Sequence, residues 1–63
     1  MTQKEFIEAC IGKPVTITFL DGKQVKGMLM AHDTYTLLVQ QQQEKGQVEV
    51  LVFKHAIKYV LAG

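Results

Sequence analysis

At Pro14 the spacing of the apolar residues changes, and no other feature of the chain narrows its fold as much. Ahead of it, Phe6, Ile7, Cys10 and Ile11 recur at helical spacing and form one apolar stripe. Thr2-Gln3-Lys4-Glu5 has the capping-box form, with the Thr2 hydroxyl taking a first-turn N–H and Glu5 reaching back to the cap N–H. Gly12 tolerates a left-handed cap and Pro14 cannot continue a helix, so the pattern predicts a helix over 3–11. Beyond Pro14 the period is two. Val15, Ile17 and Phe19 alternate with Thr16 and Thr18, the pattern of a half-buried strand over 15–20.

Turn signals divide the rest into four more strands. Asp21-Gly22 reads as a two-residue hairpin, because both positions can accept positive φ. The return strand, 23–31, sets Val25, Gly27, Leu29 and Ala31 on one face, and Gly27 in its middle predicts a sharp bend. Met28 and Met30 read as packing residues and Cys10 as a small buried one. After the turn His32-Asp33-Thr34, strands are expected over 35–42, 47–53 and 57–61. Glu44-Lys45-Gly46 and the short stretch at Lys54-His55 connect them. The expected fold is mostly β: one domain over 1–63, a helix followed by a strongly bent, five-stranded antiparallel sheet.

So small a core is marginal, since a domain of this size buries only about 60% of the surface its unfolded chain exposes. Disulfides within the chain are excluded by the single cysteine, Cys10. A structural zinc wants four ligands, and Cys10, His32 and His55 are scattered, so no metal or cofactor is expected. Self-association remains. A net charge of +1 is not that of a protein coating duplex DNA, so any nucleic-acid role must rest on where the lysines sit and how many copies assemble. No run approaches the roughly 18 apolar residues of a membrane span, and no signal peptide is evident. With one unpaired thiol, a cytoplasmic location is expected. The chain has no serine, and Cys10 has no nearby histidine to activate it, so neither an enzyme nor a small-molecule substrate is expected.

The tail Val52-Phe53-Lys54-His55-Ala56-Ile57-Lys58-Tyr59-Val60 closely resembles the Tyr-Lys-His-Ala-Ile signature of the Hfq type of the Sm-like family. The helix, the Asp-Gly hairpin, Gly27 and Asp33-Thr34-Tyr35 fall into step with it, so the likeness covers nearly the whole chain. It implies a bent five-stranded, SH3-like open barrel capped by a helix. Strands four and five would pair with neighbouring copies in a homo-oligomeric ring, with a hexamer favoured over a heptamer. Cyclic pairing would also remove every exposed edge.

The resemblance further implies a site for U-rich single-stranded RNA at the ring's pore, on the helix-bearing face. Lys54 would bond a base or phosphate, His55 a phosphate or ribose, Tyr35 would stack a base, and Gln3 would contact uracil. Thr34 could bond a base edge. Read without it, Lys54 is a solvated turn lysine, His55 a structural histidine, Tyr35 an interfacial core residue and Gln3 an ordinary first-turn residue. Asp33 reads as a turn former. On the opposite, distal face some family members stack adenines on a tyrosine; here Thr18 stands at that place, flanked by Lys23, Gln24 and Lys26, so other contacts would be needed.

Two departures bear on function. The arginine-rich rim that helps many relatives anneal two RNAs is replaced by Ala9-Cys10-Ile11-Gly12-Lys13, with one basic residue. Gln40-Gln41-Gln42-Gln43 lengthens the third hairpin, reads as a solvated arm, and leaves ring size open. The two functions to separate are an RNA-holding ring, a post-transcriptional regulator, and an Sm-like structural or protein-interaction ring without RNA.

Overall fold

The computed structural model describes residues 2–63 as a helix and five strands. These are α1 (Gln3–Cys10), β1 (Pro14–Phe19), β2 (Gln24–His32), β3 (Thr36–Gln43), β4 (Gly46–Phe53) and β5 (Ile57–Ala62), with a 3-10 turn at Lys54–Ala56. Every bound falls within one residue of the sequence expectation. All pairings are antiparallel, in the order β4-β3-β2-β1-β5. β4 and β5 are therefore the two edges of the sheet. The core is Ile7 and Cys10 of α1 set against Val15, Ile17, Leu29, Leu37, Val39 and Val52.

Thr2 caps the helix, its hydroxyl oxygen accepting the Glu5 N–H at 3.1 Å. The return contact differs from the expected one: the Glu5 carboxylate accepts the Thr2 hydroxyl, at 3.0 Å. The helix ends at Cys10, one residue early. Ile11 leaves the stripe with extended backbone and is 38% exposed. The sheet claims the next residues, since Gly12 N–H donates to the Leu29 carbonyl at 2.7 Å and Leu29 N–H to the Lys13 carbonyl at 3.0 Å. Those two bonds seat α1 over β2.

The first hairpin is not the expected two-residue turn. Phe19 N–H donates to the Lys23 carbonyl at 2.8 Å and Gly22 N–H to the Phe19 carbonyl at 2.9 Å, enclosing a three-residue loop. Gly22 alone in it has positive φ, 90°, as the left-handed position of such loops requires. Asp21 instead turns its carboxylate onto the Lys23 N–H at 2.9 Å.

β2 bends through a bulge. Leu29 pairs with Val39 and Ala31 with Leu38, leaving Met30 as an extra residue. The bulge removes Ala31 from the inner face where strict alternation places it, and Ala31 is exposed. Met28 and Met30 are also not packed, at 42% and 40% exposed. Gly27 serves close approach: a β-carbon there would lie 2.5 Å from the Gln40 carbonyl oxygen and 2.7 Å from Val39 Cγ1. Gly27→Ala should therefore lower stability by about 1–3 kcal/mol, the usual cost of overpacking. Urea titration checks this, and an unchanged midpoint would contradict it.

Candidate nucleic-acid interface

Asp33 builds the turn that presents the candidate site. Its Oδ1 accepts the Thr36 N–H at 2.8 Å, the Thr36 hydroxyl at 2.8 Å and the Tyr35 N–H at 3.0 Å. Asp33 N–H in turn donates to the Thr36 carbonyl at 3.0 Å. The Thr36 hydroxyl, then the Tyr35 and Thr36 N–H groups, and finally the charge of Lys54 hold the Asp33 carboxyl below the usual carboxylate range. Asp33 is thus a positioning residue whose Oδ1 is committed to the turn, in line with its reading from the sequence.

The turn holds Tyr35 away from the body of the protein. Tyr35 is 75% exposed and lies ahead of β3, not within it. Such exposure leaves this ring outside the chain's own core. Its carbonyl accepts the Lys54 N–H at 2.8 Å, which ties the turn before β3 to the 3-10 turn after β4. Lys54 is half-buried and lines two clefts that it shares with Gln3. One, of about 380 Å³, runs between α1 and the start of β5, past Phe6 and Lys58. The other is bounded by Lys4, His32, Asp33 and Thr34.

Gln3, Thr34, Tyr35 and Lys54 are thereby brought to one region of a single chain. His55 is not. It lines a separate hollow with Phe19, Leu20, Asp21 and Ala56, and its ring faces Phe53 at 6.0 Å between centroids. The cause is local, because consecutive side chains on a 3-10 turn are about 120° apart. The set on the distal face is also rearranged. Gln24 Nε2 donates to Thr18 Oγ1 at 3.3 Å, and Thr18 is only 5% exposed. Gln24, Lys23 and Lys26 are the exposed groups there.

His32 and Lys58, which line these clefts, have no site role in the sequence reading. His32 figures there only as part of a turn; its Nδ1 is buried with no hydrogen-bond partner among the described residues. Lys58 lies inside the diagnostic tail, beside the residues that carry the likeness. The glutamine tract does form an arm, paired as far as Gln43 with Gly46, and Gln41 Nε2 donates to the Lys26 carbonyl at 3.2 Å. Among the described residues no group of three or more His, Cys, Asp or Glu could hold a metal ion. Among the same residues no helix is long and apolar enough to cross a membrane.

Comparison with known proteins agrees with the fold. The family model described as Hfq protein matches residues 5–63. The RNA-binding protein Hfq of Syntrophomonas wolfei is 40% identical over 47 residues, which is 75% of this chain and 52% of that one. The RNA-binding protein Hfq of Caldicellulosiruptor saccharolyticus is 43% identical over 47 residues, 75% of this chain and 44% of its own. The chain thus spans about half the length of the curated relatives it matches. A crystal structure of the pleiotropic translational regulator Hfq superposes with a TM-score of 0.83 at 30% identity, covering 94% of this chain and 95% of the other.

The Asp33 turn carries a pH signature. Because the folded carboxyl titrates below its ordinary value, its stabilisation is complete above the carboxylate range. It is lost as pH falls below about 4. Asp33→Asn keeps an acceptor but does not titrate. It should be less stable than the parent at neutral pH and lose less stability in acid; thermal melts across pH check this, and parallel acid profiles would contradict it.

Proposed function

The chain belongs to the Hfq family, and on that premise we propose that it holds U-rich single-stranded RNA at the pore of a homo-oligomeric ring. The observation that carries this reading is the pair of clefts that Gln3 and Lys54 share, beside the turn that leaves Tyr35 exposed. A cation and an amide edge line them, and the bond from the Lys54 N–H to the Tyr35 carbonyl joins the aromatic residue to that cation's backbone. Those three groups suit a nucleotide: the ring stacks its base, the amide bonds its edge and the ammonium takes its phosphate. A base–aromatic stack is worth roughly 1–3 kcal/mol and tolerates any base, so preference for uracil falls to Gln3 and to the size of the cleft.

The ring supplies what one chain lacks. β4 and β5 each present an unpaired backbone edge, with Leu51 and Phe53 on one and Tyr59 and Leu61 on the other, all about half exposed. Pairing β4 of one copy with β5 of the next satisfies both edges and repeats until the circle closes, as a hexamer in our reading. Six copies turn a net charge of +1 into about +6 around one axis. His55, turned away from Lys54 within the chain, would face a neighbouring copy's site across that junction. Many weak contacts on one strand then add up through avidity.

The protein so read is a binding scaffold and a post-transcriptional regulator acting in the cytoplasm. Rim-based annealing of two RNAs has little to work with, since every cation of this chain is a lysine and the rim segment carries only Lys13. On the distal face Gln24, Lys23 and Lys26 would make a secondary contact that does not depend on stacking.

The test is anisotropy of a labelled hexauridylate on the purified protein. Tyr35→Ala should weaken binding by about 1–3 kcal/mol for each base it stacks, and adding Lys54→Ala should weaken it further. Unchanged affinity in the double variant would refute the site. Should the parent ignore both U-rich and A-rich oligomers at low salt, the ring is a structural one without RNA.

A further inference from the structure

β5 carries one residue too many for its partner strand. Opposite the step from Thr18 to Phe19 lie Tyr59, Lys58 and Ile57, so Lys58 is the extra residue of a bulge. Alternation does not carry through the bulge, since Val60, opposite Ile17, and Ile57, opposite Phe19, both pack against the core; the place of Lys58 is given by the cleft it lines. Lys58 is exposed, and it shares that cleft with Gln3, Phe6 and Lys54.

The cleft is unlike its neighbour in charge. Its lining holds two lysines and no carboxylate, and most of the remaining lining is apolar. The adjoining cleft shares Gln3 and Lys54 but adds Asp33, whose negative charge acts on Lys54. Part of the field of Lys54 is thus offset, whereas Lys58 faces no acid in the cleft it lines. A low-dielectric wall strengthens what remains.

We propose that Lys58 is a second phosphate-binding residue, and that Gln3, Lys54 and Lys58 form a subsite for the phosphodiester next to the nucleotide held at Tyr35. The inference rests on the RNA reading above and deepens it. Two cations in one cleft suit consecutive phosphates of a single strand, with Gln3 of the same cleft free to bond a base or a ribose hydroxyl. Positive charge that many relatives place on the rim is here concentrated beside the pore.

The experiment compares the parent, Lys58→Gln, Lys58→Arg and Lys45→Gln rings, binding labelled hexauridylate over a range of salt. Each lost phosphate contact lowers the slope of log K against log salt by about 0.7 on a single strand. Lys58→Gln should show that drop, Lys58→Arg should keep the parent slope, and Lys45→Gln, at the arm's tip, should keep it too. A parent slope retained by Lys58→Gln overturns the inference while leaving the RNA reading standing; no binding by the parent overturns both. If Lys58→Gln fails to assemble, acylation of lysines in the parent ring decides. Bound hexauridylate should protect Lys58, and equal acylation with and without it contradicts the proposal.

Discussion

Everything in this protein depends on two rows of backbone groups that the chain cannot satisfy alone. β4 pairs only with β3 and β5 only with β1, so the outer N–H and C=O groups of both face solvent. An edge strand of that kind is a template for pairing, and here it also exposes Leu51, Phe53, Tyr59 and Leu61. Only eight apolar side chains make the buried core among the described residues, which is little for an independent domain. A second copy placed edge to edge supplies both missing terms at once, hydrogen bonds and apolar burial. Because the two edges are different surfaces, the contact is head-to-tail and must either close into a ring or run on as a filament.

The same economy shapes the candidate site. One carboxylate, Asp33, makes three hydrogen bonds that stiffen the turn, and one backbone bond joins Tyr35 to Lys54. Both contacts are made within the chain, so the backbone at Tyr35 and Lys54 is held before any ligand arrives. That pre-organisation spares ordering cost on binding. Of the two bulges, one bends β2 beneath α1 and the other adds Lys58 to β5 beside the cleft.

Much of the fold is legible in the sequence because period decides it. A stripe at three-to-four spacing followed by strict alternation leaves little but a helix and a meander of strands, and turn residues mark the joints. Bulges are not legible. One extra residue changes which face the neighbouring side chains take, and nothing in the composition of Met28-Leu29-Met30-Ala31 or Ile57-Lys58-Tyr59 announces it; hence the exposed Ala31 and the unread part of Lys58. The Asp21-Gly22 loop departs from its expected form because the aspartate satisfies a backbone N–H with its side chain and leaves positive φ to the glycine. Of the candidate site, Gln3, Thr34, Tyr35 and Lys54 are legible through the likeness of the tail, not through spacing, and that likeness does not show that a 3-10 turn sends His55 elsewhere.

Native mass spectrometry of the purified chain at micromolar concentration tests the central claim most directly. Closed rings of identical subunits, the hexamer foremost, are the expected result, with no lasting folded monomer. A stable, folded monomer under those conditions would contradict it, since the two free edges would then need no partner.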